Sequence, residues 1–341
     1  MARTQRVTLK EIAAQTGLSL TTISKVLNGG TDVSSTTRAL VEEQLRRSGY
    51  RRRKSRQRRE YLEVVLHELE GEWALAILEG VRESAAQEGL AVSLSVSGDR
   101  HAPGQEWMDS VVRRAPTGVI LLFADIPPDG RERLKARGIP YVIIDPAGDP
   151  AEDVPSVGSA NWSGGLAATR HLLELGHRRI AAITGPETVM CALARLDGYR
   201  AAMATARVPA APEWIRFGDF QRDAGERHAR ELFRLPDPPT AIFAGNDTQA
   251  LGVLHAAMSL GISVPGDLSV VGFDDLAVAE LAHPRLTTVH QPLREMAEQA
   301  TRLVLQQLED PHPEVTRVEL ATSLVVRDST APPRRGVESR G

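Results

Sequence analysis

The sequence contains a single cysteine, Cys191, and no long hydrophobic run. One thiol cannot form a disulfide within the chain, and it cannot supply the paired thiolates of a structural zinc site. Without about eighteen consecutive apolar residues, no membrane-spanning helix is expected. The opening residues MARTQRVTLKEIAAQ contain no apolar signal-peptide core. Together these absences predict a cytoplasmic protein with no metal site and no membrane association.

The charges are unevenly distributed along the 341 residues. Residues 1–60 carry 14 lysines and arginines against 5 acidic residues, a net charge of +9. Residues 61–341 carry 27 basic and 39 acidic residues, a net charge of −12. A basic N-terminal segment on an acidic body is the asymmetry expected when only that segment contacts nucleic acid.

The first apolar periodic segment begins with a capping box. Thr8 and Glu11 stand three residues apart, so the threonine hydroxyl can accept from the Glu11 amide while the glutamate reaches back. Leu9, Ile12 and Ala13 then fall on one face of a helix. A first short helix is therefore predicted at the N-terminus.

Two further short helices follow within residues 1–50. Gly17 permits a sharp turn, Ser19 is the expected N-cap of the second helix, and Asn28 with two glycines ends it. Ser34 or Ser35 caps the third helix. Three short helices that share one small core make a helix-turn-helix, a DNA-binding unit. A three-helix module for protein interaction is the alternative, and the basic charge favours DNA.

The exposed face of the second helix carries side chains suited to DNA. The methyl groups of Leu20 and Thr21 suit thymine, and the ammonium group of Lys25 suits the acceptor edge of guanine. The hydroxyls of Thr22 and Ser24 suit phosphate oxygens. This helix is therefore the predicted recognition helix.

The segment VTLKEIAAQTGLSLTTISKVLNGGTDVSSTTRALVEEQLRRSGY resembles the headpiece of the LacI/GalR family of bacterial transcription regulators. The resemblance implies that Leu20 and Thr21 read bases, and that Lys25, where the family usually has arginine, also reaches a base. The resemblance also implies that Tyr50 stands at the end of the headpiece. The resemblance further implies phosphate contacts from Thr8, Thr22, Ser24, Asn28, Ser34 and Thr37.

The linker RRRKSRQRRE has seven basic residues in ten. The family usually has a Pro-Asn pair here and then a hinge helix whose leucine enters the minor groove. Arg52 and Arg53 replace that pair, and Arg59 stands near the expected leucine. We expect Arg52, Arg53, Arg56 and Arg59 to contact phosphates or a narrow minor groove. A disordered basic tether is the alternative.

In the body, apolar runs alternate with amphipathic helical patterns, which predicts α/β units with parallel sheets covered on both faces. About 270 residues accommodate two such units, with ligands bound beyond the carboxyl ends of the strands and between the units. The predicted strands are Leu62–Leu66, Ala91–Val96, Gly118–Phe123, Tyr141–Asp145, Arg179–Thr184, Trp214–Phe217, Thr240–Ala244 and Leu268–Phe273.

Polar and aromatic residues cluster at these strand ends. Carboxylates, an amide and a guanidinium could bind sugar hydroxyls, and an aromatic plane could cover the C–H face of a sugar ring. The candidates are Asp145, Arg195, Asn246, Asp274, Trp73, Trp162 and Phe220. Structural alternatives are helix caps at Asp247 and Asp275, a turn at Asp274, a surface ion pair at Arg195 and core positions for the two tryptophans.

An enzyme is not favoured by these patterns. HELE, not a G-x-G-x-x-G turn, follows the first strand, so no dinucleotide cofactor is predicted. The nine histidines are scattered, and no nucleophile–His–acid spacing or metal cluster stands out. The predicted protein is therefore not an enzyme and has no cofactor.

The segments ARLDGYRAAM, FAGNDTQALGVL and VPGDLSVVGFDD also resemble the LacI/GalR family. The resemblance implies a periplasmic-binding-protein-like body of two Rossmann-like lobes, with effector contacts at Asp145, Arg195, Phe220, Asn246 and Asp274. Trp73 and Trp162 are added because they lie near the expected cleft. Leu293 stands where some members have an aromatic, which suggests a lost contact. The expected divisions are a headpiece at 1–50, a linker at 51–61, lobe one at 62–161 and 292–318, lobe two at 162–291 and 319–328, and a disordered tail at 329–341.

A headpiece of this kind reads pseudo-palindromic operators in double-stranded DNA, so a homodimer is expected. The functional hypothesis is a repressor of carbohydrate uptake or catabolism genes that a sugar effector releases from its operator. A corepressor or a purine-type effector remains an alternative. A solute-binding protein is less favoured, because the basic head has no role in it.

Overall fold

The computed structural model of the chain is described for residues 9–27, 33–48, 59–67, 71–97, 103–122, 125–310 and 315–334. Within these ranges no helix combines the length and the hydrophobicity needed to cross a membrane. The described residues form a small helical headpiece and an α/β body, as the sequence predicts.

The headpiece consists of three helices, α1 (Leu9–Thr16), α2 (Leu20–Leu27) and α3 (Ser35–Arg47). Their apolar faces meet in one small core, because each helix is too short to be stable without tertiary packing. The buried side chains of that core are Ile12, Ile23, Val26 and Val41.

Side-chain oxygens cap the second and third helices. The Thr22 amide donates to Ser19 Oγ at 3.1 Å, and the Thr37 amide donates to Ser34 Oγ at 3.2 Å. Ser19 is therefore the predicted N-cap of α2, and Ser34, not Ser35, caps α3. The capping box predicted at Thr8 lies outside the described residues.

The body contains twelve strands and nine helices within the described ranges, together with a short 3-10 turn at Pro212–Trp214. The strands are β1 (Arg59–Leu66), β2 (Ala91–Val96), β3 (Pro116–Leu122), β4 (Tyr141–Ile144), β5 (Ser156–Ser159), β6 (Ile180–Thr184), β7 (Ile215–Phe217), β8 (Ala241–Ala244), β9 (Ser269–Asp274), β10 (Thr287–His290), β11 (Arg317–Leu320) and β12 (Ser323–Val325). The helices are α4 (Glu72–Gln87), α5 (Gln105–Arg114), α6 (Pro128–Arg137), α7 (Asn161–Glu174), α8 (Met190–Thr205), α9 (Arg222–Leu232), α10 (Asp247–Ser259), α11 (Ala277–Leu281) and α12 (Leu293–Glu309).

The strands form two six-stranded sheets. The first sheet has the order β11-β5-β4-β3-β1-β2 and the second β12-β10-β9-β8-β6-β7. All neighbours are parallel except β12, which pairs antiparallel with β10. Each sheet with its helices is called a lobe here, and the first sheet defines lobe one. This architecture confirms the predicted fold class of a headpiece and two Rossmann-like lobes.

Helices cover both faces of each sheet, which is why the central strands are buried throughout. In lobe one, α4 and α12 pack on one face, with Ile77 and Met296 in the core, and α5 and α6 pack on the other, with Trp107 and Leu134. In lobe two, α7 and α8 cover one face, and α9 and α10 cover the other.

The chain crosses between the lobes three times. It leaves lobe one after β5, returns between β10 and α12, and crosses again between β11 and β12. The last crossing follows Leu320, two residues beyond the boundary expected at 318/319. The Ser159 hydroxyl and the Gln291 side chain, which lie on two different crossings, are 2.9 Å apart at Oγ and Oε1 and hydrogen-bonded. The body is therefore one unit built from discontinuous segments.

Two expected boundaries differ in the structure. Arg59 belongs to β1, where it stands opposite Pro116, so lobe one begins three residues before the expected position 62. The tail was predicted to be disordered from residue 329, which is wrong for 329–334. Ser329 is fully buried and Ala331 donates its amide to Ser269 Oγ at 3.0 Å, because these residues pack against the N-terminal end of the central strand β9.

Candidate functional site

A cavity of about 90 Å³ lies between the two lobes. It sits beyond the carboxyl ends of parallel strands, where open α/β sheets bind ligands. Lobe one lines it with Leu66, His67, Gly71, Glu72, Trp73, Ala74 and Leu122. Lobe two lines it with Cys191, Arg195, Asp219, Phe220, Gln221, Asn246, Thr248 and Asp274. We call it the first cavity.

Arg195 is the central polar group of the first cavity, and its side chain is buried. Its Nε donates to Asn161 Oδ1 at 2.8 Å and its Nη1 to the Gly245 carbonyl at 2.6 Å. Its guanidinium carbon lies 3.8 Å from the centre of the Phe273 ring. Within the described residues Nη2 has no hydrogen-bond partner, so a planar donor is held ready for a ligand oxygen.

Close packing of α7 against α8 sets the position of Arg195. A Cβ added at Gly165 would overlap the Arg195 carbonyl, and one at Gly198 would overlap the Trp162 carbonyl. Glycines at both positions let the two helix backbones approach until the guanidinium reaches the strand ends. The GG of NWSGG and the G of RLDGY in the sequence supply these contacts.

Two buried carboxyls lie near Arg195. Asp274 Oδ1 is 3.4 Å from Arg195 Nη1 and accepts from Gln291 Nε2 at 2.6 Å. Burial raises the pKa of Asp274 to about 7, against the opposing effect of Arg195. Burial likewise raises the pKa of Asp145 to about 6, again opposed by Arg195. Arg195 is therefore the nearby positive charge for both acids. The pKa values of Asp145 and Asp274 depend on the charge and polarity of any group that binds beside them.

Three of the predicted effector residues have backbone conformations in the left-handed region. The φ angles are +46° at Asp145, +69° at Phe220 and +108° at Asp274. Non-glycine residues rarely adopt such angles, and those that do cluster at binding sites. Two of the three residues, Phe220 and Asp274, line the first cavity.

The Phe220 ring packs on a glycine. A Cβ at Gly185 would overlap the ring, so the glycine after β6 is what allows the ring to lie there. The guanidinium carbon of Arg195 lies 5.9 Å from the ring centre. The half-buried ring therefore offers a flat apolar wall beside a charged hydrogen-bonding group.

Asn246 lines the cavity as the N-cap of α10. Its Oδ1 accepts from the Gln249 amide at 2.8 Å, and its Nδ2 donates to the Phe220 carbonyl at 3.1 Å. The cap interpretation that the sequence suggested for Asp247 is wrong, because Asp247 accepts instead from the Leu276 amide and the Thr288 hydroxyl. Asn246 also holds the Phe220 loop in place.

The structure does not bring all seven predicted effector residues to one place. The first cavity collects Trp73, Arg195, Phe220, Asn246 and Asp274. Asp145 and Trp162 instead line a neighbouring cavity of about 300 Å³, and Cys191 borders both. Trp73 fits both the effector-contact interpretation and the core interpretation, because it lines the first cavity and also packs in the lobe-one core.

Other side chains of the first cavity were not predicted from the sequence. Asp219 and Gln221 flank Phe220 in the loop after β7. Their position beside a predicted aromatic contact is the sequence feature that could have identified them. Glu72 and Thr248 stand in the first turns of α4 and α10, a common place for ligand contacts. Asp275, a suggested cap, pairs with His290 at 3.0 Å and Arg327 at 2.7 Å.

The predicted DNA-reading face is exposed on α2. Leu20 is 43% exposed, and Thr21 and Lys25 are also exposed. Among the predicted phosphate contacts, the hydroxyls of Thr22 and Ser19 lie 2.9 Å apart, and those of Thr37 and Ser34 lie 2.8 Å apart. These hydroxyls therefore also support the helix caps.

Five of the predicted DNA contacts lie outside the described residues, namely Thr8, Asn28, Arg52, Arg53 and Arg56. Among the residues that are described, no three side chains of the metal-ligating types come together.

Two family models match the chain. The model for bacterial regulatory proteins of the lacI family matches residues 8–53, and a periplasmic binding protein-like domain matches residues 169–330. The regulator CelR of Thermobifida fusca is 34% identical over 96% of this chain and 100% of its own length. The repressor CytR of Escherichia coli K12 is 31% identical over 95% of this chain and 96% of its own length.

Solved structures agree with this relationship. A complex of the regulator CelR with cellobiose superposes with a TM-score of 0.72, at 33% identity over 95% of this chain and 100% of that one. A LacI family regulator of Enterococcus faecium with bound ribose also gives a TM-score of 0.72, at 25% identity over 80% of this chain and 100% of that one. The relatives are transcription regulators and not enzymes. The chain therefore belongs to the LacI family and is a DNA-binding transcription regulator.

Proposed function

We propose that the protein represses genes of carbohydrate uptake or catabolism, and that a small sugar bound between the lobes changes its affinity for operator DNA. The observation that carries the proposal is the first cavity, in which a buried guanidinium, a carboxylate and an aromatic ring converge at the lobe boundary. A regulator that acts on chromosomal DNA in this way works in the cytoplasm.

The chemistry of the first cavity suits a sugar. Sugar hydroxyls both donate and accept, so they can bridge Arg195 Nη2 and the Asp274 carboxylate. The Phe220 ring provides the flat face on which the C–H groups of a pyranose or furanose pack. The relatives whose structures contain cellobiose and ribose support the same ligand class.

On the DNA side, Leu20, Thr21 and Lys25 would read bases in the major groove, and Thr22, Ser24, Ser34 and Thr37 would contact phosphates. The same role is proposed for Thr8, Asn28 and the linker arginines. A homodimer would present two such headpieces to the two halves of a pseudo-palindromic operator.

The proposed coupling between sugar binding and operator binding follows from the position of the first cavity between the two lobes. A ligand in the first cavity touches Trp73 on lobe one and Arg195 on lobe two, so its affinity depends on how the lobes are arranged. A sugar that prefers one arrangement shifts the population toward it by that difference in affinity. With an inducing sugar, the favoured arrangement is the one in which the two headpieces no longer match the operator.

The test starts with the full-length protein and a thermal-shift screen of mono- and disaccharides. A sugar that raises the melting temperature is then added to the protein–operator complex, and fluorescence anisotropy of labelled operator measures the affinity. We expect the sugar to weaken operator binding.

Arg195→Met should abolish the thermal shift and the sugar effect while operator binding itself persists. Arg200→Met, on the same helix but exposed and paired with Asp197, is the matched control and should respond like the wild type. A screen in which no sugar shifts the melting temperature, or in which purines alone do so, would contradict the proposal. A sugar that tightens operator binding would make it a corepressor.

A further inference from the structure

The cavity that contains Asp145 and Trp162 has no role in the proposed first-cavity contacts. It has a volume of about 300 Å³ and lies between the loop after β4 and the first turns of α7 and α8. Both lobes line it, and Cys191 forms a wall shared with the first cavity. We call it the second cavity.

Large apolar side chains are exposed in the second cavity. Trp162 is 46% exposed and Met190 is 44% exposed, although both stand at the start of helices whose other faces are buried. Exposing such side chains costs the free energy of hydrating them, so an apolar surface in a concave site is typical of a ligand-binding wall. The indole of Trp162 is a suitable plane for a sugar ring.

A buried polar atom also borders this cavity. The Asp145 side chain is 3% exposed, and its Oδ2 has no hydrogen-bond partner among the described residues. Leaving a buried acceptor unpaired is unfavourable, whereas a ligand hydroxyl that donates to it removes the penalty. The orphaned oxygen therefore marks a place where a donor on a ligand is needed.

The rim of the second cavity is ordered by contacts within lobe one and between the lobes. Arg317 Nη2 donates to the carbonyls of Pro150 at 2.7 Å and Ala151 at 2.6 Å. The Met190 amide donates across the lobe boundary to the Ala147 carbonyl at 3.0 Å. The loop after β4 is thus fixed from both sides, and the cavity does not depend on a free surface loop.

We propose that the effector has at least two sugar units and occupies both cavities. One unit lies in the first cavity against Phe220, Arg195 and Asp274. The second unit passes Cys191 into the second cavity, stacks on Trp162, contacts Met190 and donates a hydroxyl to Asp145 Oδ2. This inference rests on the proposed sugar-sensing function and narrows its ligand class from sugars in general to disaccharides or longer saccharides.

Calorimetry on the full-length protein tests the proposal with matched pairs of sugars: glucose with cellobiose and maltose, xylose with xylobiose, and galactose with lactose. We expect one disaccharide to bind about tenfold or more tightly than its own monosaccharide, because it fills both cavities and gains an aromatic contact.

Substitutions locate the second unit. Trp162→Ala and Met190→Ala should weaken binding of that disaccharide, by about tenfold for the tryptophan, and should leave monosaccharide binding within about twofold. Leu193→Ala is the control, because this leucine lies on α8 near Met190, is 37% exposed and lines neither cavity. Unchanged operator affinity checks that each variant is folded.

The outcomes separate this proposal from the one it rests on. If no sugar binds, the sugar-sensing function itself fails. If a monosaccharide binds as tightly as every disaccharide, or if Trp162→Ala weakens both equally, the two-cavity proposal fails while sugar sensing stands. Selective loss of disaccharide affinity in Trp162→Ala but not in Leu193→Ala supports it.

Discussion

The buried guanidinium of Arg195 leads to a prediction about stability that depends on pH. Arg195→Met keeps most of the side-chain volume and the packing on Phe273 but removes the only charge that offsets Asp145 and Asp274 at close range within the described residues. Removing one partner of a buried charge pair costs about 3–5 kcal/mol when the remaining charge cannot be neutralised. At Arg195 the two acids can bind protons, so the cost varies with pH.

The sign follows from the raised pKa values. The folded protein holds protons on Asp145 and Asp274 up to about pH 6 and about pH 7, whereas the unfolded chain releases them near the ordinary value of 3.8. The free energy of unfolding therefore falls as pH rises through this window, by about 1.4 kcal/mol per pH unit for each proton. Without Arg195 both pKa values rise further, so the fall continues to higher pH.

The expected result is that Arg195→Met destabilises the body by about 3–5 kcal/mol near pH 8 and by about 2 kcal/mol less near pH 6. Urea unfolding followed by circular dichroism at both pH values measures this difference. Arg200→Met, which removes an exposed ion pair on the same helix, should change stability by less than about 0.5 kcal/mol at either pH. A loss from Arg195→Met that is equal at the two pH values would refute the reasoning, because the acids would then not be exchanging protons in this range.

Two further predictions concern helix packing and DNA reading. Gly165→Ala should destabilise the body by about 1–3 kcal/mol in urea unfolding, because its Cβ meets the Arg195 carbonyl. Gly104→Ala, with open space around its Cβ, should cost less than about 1 kcal/mol, from replacing a favoured N-cap residue, and equal effects would contradict the packing argument. Leu20→Ala should weaken specific operator binding about tenfold in fluorescence anisotropy with no change in melting temperature. Leu40→Ala, 52% exposed on α3, is its control, and equal losses in the two variants would remove Leu20 from the base-reading face.

Local signals predicted the headpiece well. Its helices are short, the caps of α2 and α3 are serines beside the helix, and the apolar spacing is regular, so every signal lies within a few residues of the feature it specifies. The predicted N-cap at Ser19 is the N-cap that the structure contains. The choice between Ser34 and Ser35 needed the structure, because either serine could accept from an amide of the first turn and the structure shows the Thr37 amide donating to Ser34.

The predicted strands are the ones with mainly apolar sequences. All eight are present within a few residues of their expected ends, and they include the edge strands β2 and β7 as well as buried central strands. The strands at Ser156–Ser159, Thr287–His290, Arg317–Leu320 and Ser323–Val325 were not predicted. They are three or four residues long and rich in polar side chains, so their conformation depends on pairing with strands distant in sequence.

The site residues also divide into those that the local sequence indicates and those whose position depends on packing between distant segments. Strand ends and family spacing indicated Arg195, Phe220, Asn246 and Asp274, and these do meet in one cavity. The separation of Asp145 and Trp162 into a second cavity was not predictable, because it depends on how two lobes with three crossings face each other.

The sequence by itself determined which segments are helices and central strands, where the basic charge lies and which residue types stand at strand ends. These properties depend on neighbours in the chain. Tertiary structure alone decided that Glu63 is fully buried in a strand and hydrogen-bonded to Ser95, Trp107 and Arg114, and that one arginine faces two buried acids. The physical reason is that burial and charge proximity are set by packing between segments far apart in sequence, and one sequence carries no record of those distances.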